Sequence, residues 1–143
     1  EQTMAHLTEA HHWPSPKVKE GMLLSRHGVS AAMDVSDGLL GDLRKLCDAS
    51  GVGGVLNAGQ LPADEFLKRA YPDDWMFLAL SGGEDYGLLF TAQPPIVRKV
   101  AAILTENVSI IGQILSEPLR VTVLGENGRE MEADLGGWDH FPT

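Results

Sequence analysis

Apolar side chains recur along this chain at two spacings, one typical of helices and one typical of strands. The clearest helical pattern begins at Leu39, where apolar residues recur every three or four positions and share one face. They are Leu39, Leu40, Leu43, Leu46 and Cys47. Asp42 is predicted to lie off this face, and Gly51 can end the helix in a left-handed conformation. The pattern therefore predicts an amphipathic helix over residues 39–50.

Four further helices are predicted from weaker periodicity and from residues typical of helix ends. They cover residues 17–27, a segment that begins at Leu61-Pro62, residues 74–80, and a segment that begins at Pro94-Pro95 and turns Ile96, Val97, Val100 and Leu104 to the core. The opening twelve residues show no strong periodicity. Residues 1–16 are therefore interpreted as a linker, and residues 17–143 as one domain.

Short apolar runs between turn residues predict strands at 30–35, 53–57, 86–91, 108–115, 120–124 and 130–135. The last two are predicted to form a hairpin joined near Asn127-Gly128, a pair typical of type I′ turns. Since helices and strands are mixed and at least one hairpin is present, the sheet cannot be purely parallel. The predicted fold is α+β, with a mixed, largely antiparallel sheet covered by helices.

Charge and composition narrow the range of functions. A net charge of −9 over 143 residues argues against nucleic-acid binding, although metal ions could bridge an acidic domain to a phosphorylated small molecule. Signal-peptide and membrane-span patterns are absent from the sequence. Cys47, the single cysteine, cannot form an internal disulfide and fits the predicted cytoplasmic location. Because the first residue is Glu1, we expect a fragment of a longer protein.

The most informative segment runs from Ala32 to Leu39, where an apolar strand is followed directly by a helix. Asp34 and Asp37 place two carboxylates at this strand end, with Ser36 between them. Strand ends are where α/β folds commonly bind ligands, and magnesium takes hard oxygen donors when it also holds phosphates. Capping of the helix by Ser36 or Asp37 is the structural alternative, but it accounts for only one of the three residues.

Two other segments are candidate binding sites. Gly82-Gly83 allows close approach of the backbone to a ligand, and Glu84 follows as a hydrogen-bond acceptor. Acidic surface turns are common, so this motif alone is weak evidence. Near the end of the sequence, Trp138 offers a flat surface for a heterocyclic cation, or is simply part of a frayed tail. The five histidines lack zinc-site spacing, and no P-loop motif is present.

Taken together, three motifs resemble those of the thiamine-monophosphate kinase family, in its C-terminal domain. They are DVSDGL at 34–39, LSGGEDY at 80–86 and GWDHF at 137–141, which match in type, order and approximate spacing. The segment Pro14–Val18 also resembles the one that leads into this domain. The resemblance covers nearly the whole chain and implies an α/β sandwich like the C-terminal domain of aminoimidazole ribonucleotide synthetase. Gly87 stands where the family often has glutamate.

The resemblance also implies residue roles for an ATP-dependent phosphorylation of thiamine monophosphate to thiamine diphosphate. Asp34 and Asp37 would bind Mg²⁺, Ser36 would contact ATP, and Glu84 and Trp138 would bind thiamine monophosphate. The attacking phosphate oxygen is already anionic near neutral pH, so no catalytic base is assigned. Alignment and charge neutralisation then account for most of the catalysis.

The same resemblance implies that the family's N-terminal domain is missing, along with further metal ligands and the contact that makes a homodimer. Half an active site is predicted, and the isolated chain is expected to be inactive. Two alternatives stay open: a different ATP-dependent enzyme of the same superfamily, and a non-enzymatic ligand-binding module. The Glu84 and Trp138 motifs favour the thiamine enzyme, because the wider superfamily shares chiefly the aspartate motif.

Overall fold

A computed structural model describes residues 2–104, 108–117 and 120–131 of the chain. The helices are α1 (Gln2–His12), α2 (Val18–Arg26), α3 (Leu39–Ser50), α4 (Glu65–Ala70), α5 (Trp75–Ser81) and α6 (Pro94–Ile103). The strands are β1 (Ala31–Asp34), β2 (Gly53–Asn57), β3 (Leu88–Thr91), β4 (Gly112–Leu115) and β5 (Val121–Leu124). A short 3₁₀ turn at Ala58–Gln60 follows β2.

The strands of the described residues form two sheets. β1 pairs with β3 in antiparallel register, with Asp34 opposite Leu88. In the other sheet β2 is central, antiparallel to β4 and parallel to β5. The prediction of an α+β fold with mixed, largely antiparallel pairing is confirmed. A single sheet was predicted, whereas the structure separates the strands into the β1–β3 pair and the three-stranded sheet β4–β2–β5.

Helix α3 lies at the centre of the fold and packs against both sheets and against α5. Leu40, Leu43 and Cys47 point into the core, as the spacing predicted, and meet Leu56 of β2 and Leu80 of α5. Gly51 ends the helix with φ +65°, which confirms the left-handed stop. The packing of α3 fixes the position of the turn that precedes it, where the candidate site begins.

Residues Gln2–His12 form a helix that the sequence analysis does not predict. Helix α1 packs on α4. The His6 ring lies 4.5 Å from that of Phe66, and His6 Nε2 lies 2.9 Å from Asp64 Oδ2. Polar and aromatic contacts of this kind leave little apolar periodicity in the sequence, which is why the helix was missed. The division into linker and domain stays a prediction.

The prediction that a helix begins at Leu61-Pro62 is also wrong. Leu61 is 7% exposed and anchors the segment in the core, whereas α4 starts at Glu65. Its N-cap is Asp64, whose Oδ1 accepts a hydrogen bond from Phe66 N at 2.7 Å. The start of α4 is therefore set by the N-cap Asp64 and not by Pro62.

The part of the predicted hairpin near Asn127-Gly128 that lies within the described residues, up to Met131, is present. Leu124 forms an antiparallel bridge with Glu130, but only Gly128 (φ +71°) has a positive φ. A type I′ turn needs positive φ at both central residues, so that prediction is wrong. Instead, Asn127 Oδ1 accepts a hydrogen bond from Arg129 N at 2.9 Å. Residues 132–135 of the predicted last strand lie outside the described residues.

The predicted strand at 108–115 is shorter in the structure, where only Gly112–Leu115 pairs with β2. No helix within the described ranges is both long enough and apolar enough to cross a membrane.

Candidate active site

The DVSDGL motif forms the end of β1 and the turn into α3. Asp34 is the last residue of the strand and its side chain is exposed, while Val35 is 6% exposed and anchors the turn in the core. The N-cap of α3 is Gly38, without a side-chain cap, so neither Ser36 nor Asp37 occupies the capping position. The capping alternative therefore does not account for these residues.

Gly38 is required by its backbone conformation and by its surroundings. Its φ is +105°, and an added Cβ would lie 2.8 Å from the carbonyl oxygen of Ser81. This close approach brings the turn after β1 against the end of α5. The second predicted motif begins at that same end.

Asp42 holds the turn in place, although sequence reasoning put it off the buried face. Its side chain is 1% exposed, and its Oδ2 accepts hydrogen bonds from Ser36 N at 2.9 Å and Asp37 N at 3.1 Å. The turn folds back over the first turn of α3, so the position is buried yet surrounded by backbone donors. An acidic residue four positions after the N-cap glycine is the signal that could have revealed this role.

Lys45, one turn further along α3, pairs with both carboxylates. Its Nζ donates to Asp37 Oδ2 at 2.6 Å and to Asp42 Oδ1 at 2.9 Å. These hydrogen bonds, that from Asp37 first, raise the pKa of Lys45 above its ordinary value. Lys45 is therefore an ammonium ion at the edge of the site, and its contact with Asp37 was not predicted from the sequence.

The second motif lies directly beside the first, joined to it by main-chain hydrogen bonds. Glu84 N donates to Ser36 O and Tyr86 N donates to Val35 O, both at 2.8 Å, and Val35 N donates to Gly87 O at 2.9 Å. These bonds continue the pairing of β1 with β3 beyond the strands. Two segments that are almost fifty residues apart in the sequence thus form one surface.

Gly83 permits this contact. A Cβ at Gly83 would lie 2.8 Å from Ser36 O, which is closer than ordinary van der Waals contact. Glu84 and Tyr86 both have positive φ, of 69° and 49°, which is uncommon for residues with side chains. Backbone strain of this kind is typical of binding sites.

The Glu84 side chain points to solvent, with 60% of its surface exposed. Its Oε2 lies 3.3 Å from Nε2 of His11, at the end of α1. Desolvation raises the pKa of the neighbouring Asp85, and His11 opposes that shift. Sequence reasoning missed His11, because nothing in its local pattern connects it to residue 84.

The carboxylates of Asp34 and Asp37 fit a magnesium ion whose other ligands are water and substrate phosphates. Within the ranges that the structure describes, no three His, Cys, Asp or Glu side chains lie close enough together to hold a metal. Asp34 and Asp37 offer two carboxylates, and Mg²⁺ commonly takes one or two of these and completes its shell with water and substrate phosphates. Trp138 lies outside the described residues.

Comparison with known proteins connects this surface to an enzyme family. A thiamine-monophosphate kinase from Salmonella typhimurium is 37% identical over 150 aligned positions, which cover 100% of this chain and 45% of that protein. One from Escherichia coli K12 is 33% identical over 143 positions, covering 96% and 43%. The relatives expected from the three motifs are confirmed. The chain spans less than half the length of these relatives.

Solved structures give the same result. The one described as "AaThiL complexed with AMPPCP and TMP" matches with a TM-score of 0.80 and 29% identity, over 99% of this chain and 43% of that one. A thiamine-monophosphate kinase from Stenotrophomonas maltophilia K279a matches with a TM-score of 0.69 and 38% identity, over 77% and 35%. The match over nearly the whole chain confirms the expected fold.

A family model described as "AIR synthase related protein, C-terminal domain" matches residues 13–124, which include both motifs of the joined surface. The chain therefore belongs to this family.

Proposed function

We propose that the chain is the C-terminal half of a thiamine-monophosphate kinase, which transfers the terminal phosphate of ATP to the phosphate of thiamine monophosphate. The observation that supports this most directly is the backbone pairing of the two motif segments, in which Glu84 N donates to Ser36 O, so that the segment 34–37 and the second motif share one surface. A relative with the same fold along the whole chain is described as bound to AMPPCP and TMP.

The proposed roles follow from the chemistry of each side chain. Asp34 and Asp37 would hold Mg²⁺, which when bound neutralises the charge of crowded phosphates. The Ser36 hydroxyl would donate to an ATP phosphate. Glu84 is an exposed carboxylate that suits the cationic thiazolium ring of thiamine, and Trp138 would pack against the heterocycle.

In this proposal the chain aligns its two substrates and supplies no proton acceptor. The attacking phosphate oxygen carries negative charge near neutral pH, so a general base is not required. The main contributions are the orientation of the two phosphates and the stabilisation of charge that spreads over the transferred group. The rigid turn held by Asp42 keeps Ser36 and Asp37 in place for this purpose.

The complete protein is proposed to contain an N-terminal domain with further metal ligands, to form a homodimer and to act in the cytoplasm. The relatives support the additional domain, because each is more than twice the aligned length.

The test uses the complete protein, assayed for thiamine diphosphate formation from ATP and thiamine monophosphate. Asp34→Asn is expected to lower kcat/KM at least roughly tenfold, the smallest loss typical of a weakened metal site, and to raise the Mg²⁺ requirement. Trp138→Ala is expected to raise KM for thiamine monophosphate and to leave KM for ATP unchanged.

Asp73→Asn removes another exposed carboxylate, outside the motifs, and serves as the control for Asp34→Asn. Wild-type protein that forms no thiamine diphosphate, or that acts only on a different acceptor, would contradict the proposed function. Asp34→Asn with unchanged activity and metal dependence would contradict the metal assignment. Equal losses of affinity for both substrates in Trp138→Ala would contradict the stacking assignment.

A further inference from the structure

Lys45 is a charged residue beside the proposed metal site that the proposed reaction does not use. Its ammonium group contacts the Asp37 carboxylate at 2.6 Å and the Asp42 carboxylate at 2.9 Å. Lys45 is 55% exposed, Asp37 is 28% exposed and Asp42 is 1% exposed. The lysine therefore reaches from solvent over one carboxylate to a second that is buried.

The contact with Asp42 explains why Lys45 stays at this position. Asp42 is a buried carboxylate whose Oδ2 is already used by two backbone N–H groups, and an unpaired charge at such a site is strongly destabilising. Lys45 supplies the neutralising charge from the next turn of the same helix. Its second contact, to Asp37, then places a cation where the proposed metal would bind.

We propose that Lys45 is a competing cation at the metal site, which occupies the Asp37 carboxylate in the absence of a divalent cation and leaves it when the cation binds. This inference rests on the proposed function, specifically on the role of Asp37 as a metal ligand. After leaving Asp37, Lys45 keeps its hydrogen bond to Asp42, so the turn between β1 and α3 stays intact.

Lysine is well suited to such an exchange. Its ammonium group is a compact charge on a flexible stem and can give up one of several hydrogen bonds without losing the others. A divalent cation on the Asp37 carboxylate would repel an ammonium group held at 2.6 Å from the same carboxylate. Free metal must therefore compete with Lys45, whereas metal that arrives with a polyphosphate brings compensating negative charge.

The inference predicts that loss of the lysine charge strengthens the binding of free metal. In the complete protein, Mn²⁺ binding without nucleotide is measured by electron paramagnetic resonance. The Mn²⁺ sites that are present in the wild type and absent in Asp37→Asn are the sites that depend on Asp37, called here the Asp37 class. In Lys45→Met the affinity of that class is expected to rise by about two- to fivefold, the range that follows from a partly exposed ion pair. The gain is expected to be smaller for Mn²⁺ bound together with ATP.

Two further variants separate this role from a general effect of charge. Lys68→Met removes a lysine that pairs with Glu65 at the same 2.9 Å and the same i,i+3 spacing as Lys45 with Asp42, and it should leave Mn²⁺ affinity unchanged. Lys45→Arg keeps the cation and should keep the wild-type affinity for Mn²⁺.

A measurement on the wild-type protein covers the case in which Lys45→Met does not fold. The side-chain ammonium signal of Lys45 in ¹⁵N NMR is assigned by its absence in Lys45→Arg. It is expected to shift when Mg²⁺ is added to the wild type, and to stay unchanged in Asp37→Asn.

The outcomes distinguish the two proposals. If Asp37→Asn loses Mn²⁺ sites but Lys45→Met binds Mn²⁺ equally or more weakly, Lys45 supports the ligand and the exchange is refuted, while the proposed function stands. The exchange is also refuted if the ¹⁵N signal of the Lys45 ammonium group in the wild type does not shift when Mg²⁺ is added. If Asp37→Asn binds Mn²⁺ like the wild type, Asp37 is no metal ligand and both proposals about it fail.

Discussion

At the scale of single residues, the candidate site depends on the buried carboxylate of Asp42, which is 1% exposed. Asp42 orients the backbone of Ser36 and Asp37 and is itself neutralised by Lys45. The residues that would contact substrate are thus supported by a buried hydrogen-bond network, and a half-satisfied network of this kind is costly.

Asp42→Asn should destabilise the chain by about 1–3 kcal/mol. The amide oxygen of the new asparagine can still accept the hydrogen bonds from Ser36 N and Asp37 N. Its NH₂ group, however, would face the Lys45 ammonium, so this buried donor would have no acceptor. The free energy of unfolding, from urea denaturation followed by circular dichroism, measures the loss.

Asp48→Asn is the matched control, because it makes the same chemical change at an exposed position of α3. It should alter the free energy of unfolding by less than about 0.5 kcal/mol. Equal effects of the two variants would show that the buried network is not what stabilises the turn.

The sequence was informative where a residue's role depends on its near neighbours. Asp34, Ser36 and Asp37 follow a short apolar run and precede a periodic helix, and the structure places them in the turn between the two. The buried role of Asp42 required knowledge that the preceding turn folds back over the helix. The contact of His11 with Glu84 depends on tertiary packing of α1 alone, so no local pattern could show it.

At the scale of elements, the two motif segments are held together by main-chain hydrogen bonds that require glycine at one point. Gly83→Ala would place a Cβ 2.8 Å from Ser36 O, so the segments would have to separate. A loss of about 1–3 kcal/mol in unfolding free energy is expected, as for other overpacked sites. Thermal and urea denaturation of the variant measure it.

Gly87→Ala provides the comparison in the same segment. No atom lies within 4 Å of a Cβ at Gly87, and its φ is not positive. Its stability should equal that of the wild type or exceed it slightly, since alanine restricts the unfolded chain. A Gly87→Ala variant as unstable as Gly83→Ala would contradict the steric explanation.

The docking of α1 on α4 should depend on pH through Asp64. The hydrogen bond with His6 lowers the pKa of Asp64 below 3.8, and the Phe66 N–H contributes to the same shift. The charged form is thus favoured in the folded state, and its contribution is present above pH 3.8 and lost as the pH falls through the lower folded value. Asp64→Asn removes the charge but keeps an equally good N-cap.

At neutral pH the Asp64→Asn variant should be less stable by no more than about 1 kcal/mol, because both partners are about half exposed. Urea denaturation at a series of pH values should show this difference shrinking below pH 3.8. A difference that stays constant down to pH 2.5, or that grows as the pH falls, would refute the assignment.

At the scale of the whole molecule, the described residues share one hydrophobic core, and the proposal assigns to this chain only half of the active site. The expectation is that the isolated 143-residue chain shows negligible kinase turnover with ATP, thiamine monophosphate and Mg²⁺. The described residues contain no cluster of three or more metal-ligating side chains, and under the proposal water, substrate phosphates and the additional domain supply the remaining Mg²⁺ ligands. The rate of thiamine diphosphate formation by the isolated chain measures this turnover.

Addition of the complementary segment of a complete relative, expressed separately, is the positive control for this assay. Robust turnover by the isolated chain would show that the two carboxylates and Glu84 suffice, and would contradict the half-site interpretation.

Fold class was predictable at this scale because α3 carries a strong helical pattern that ends at Gly51, and because the apolar run at 53–57 predicted β2 with the bounds that the structure has. The separation into two sheets was not, because strand pairing joins segments that are far apart in the chain, such as β1 with β3 and β2 with β5, and no local pattern specifies those partners. Helix α1 escaped prediction for a related reason, since its stability comes from contacts with α4.

The joining of the two motif segments through backbone atoms alone has an evolutionary implication. The frame does not depend on which side chains stand at Asp34, Ser36 or Glu84, so these positions can change while the scaffold persists. Substitutions at these rim positions would leave the main-chain hydrogen bonds between the two segments in place.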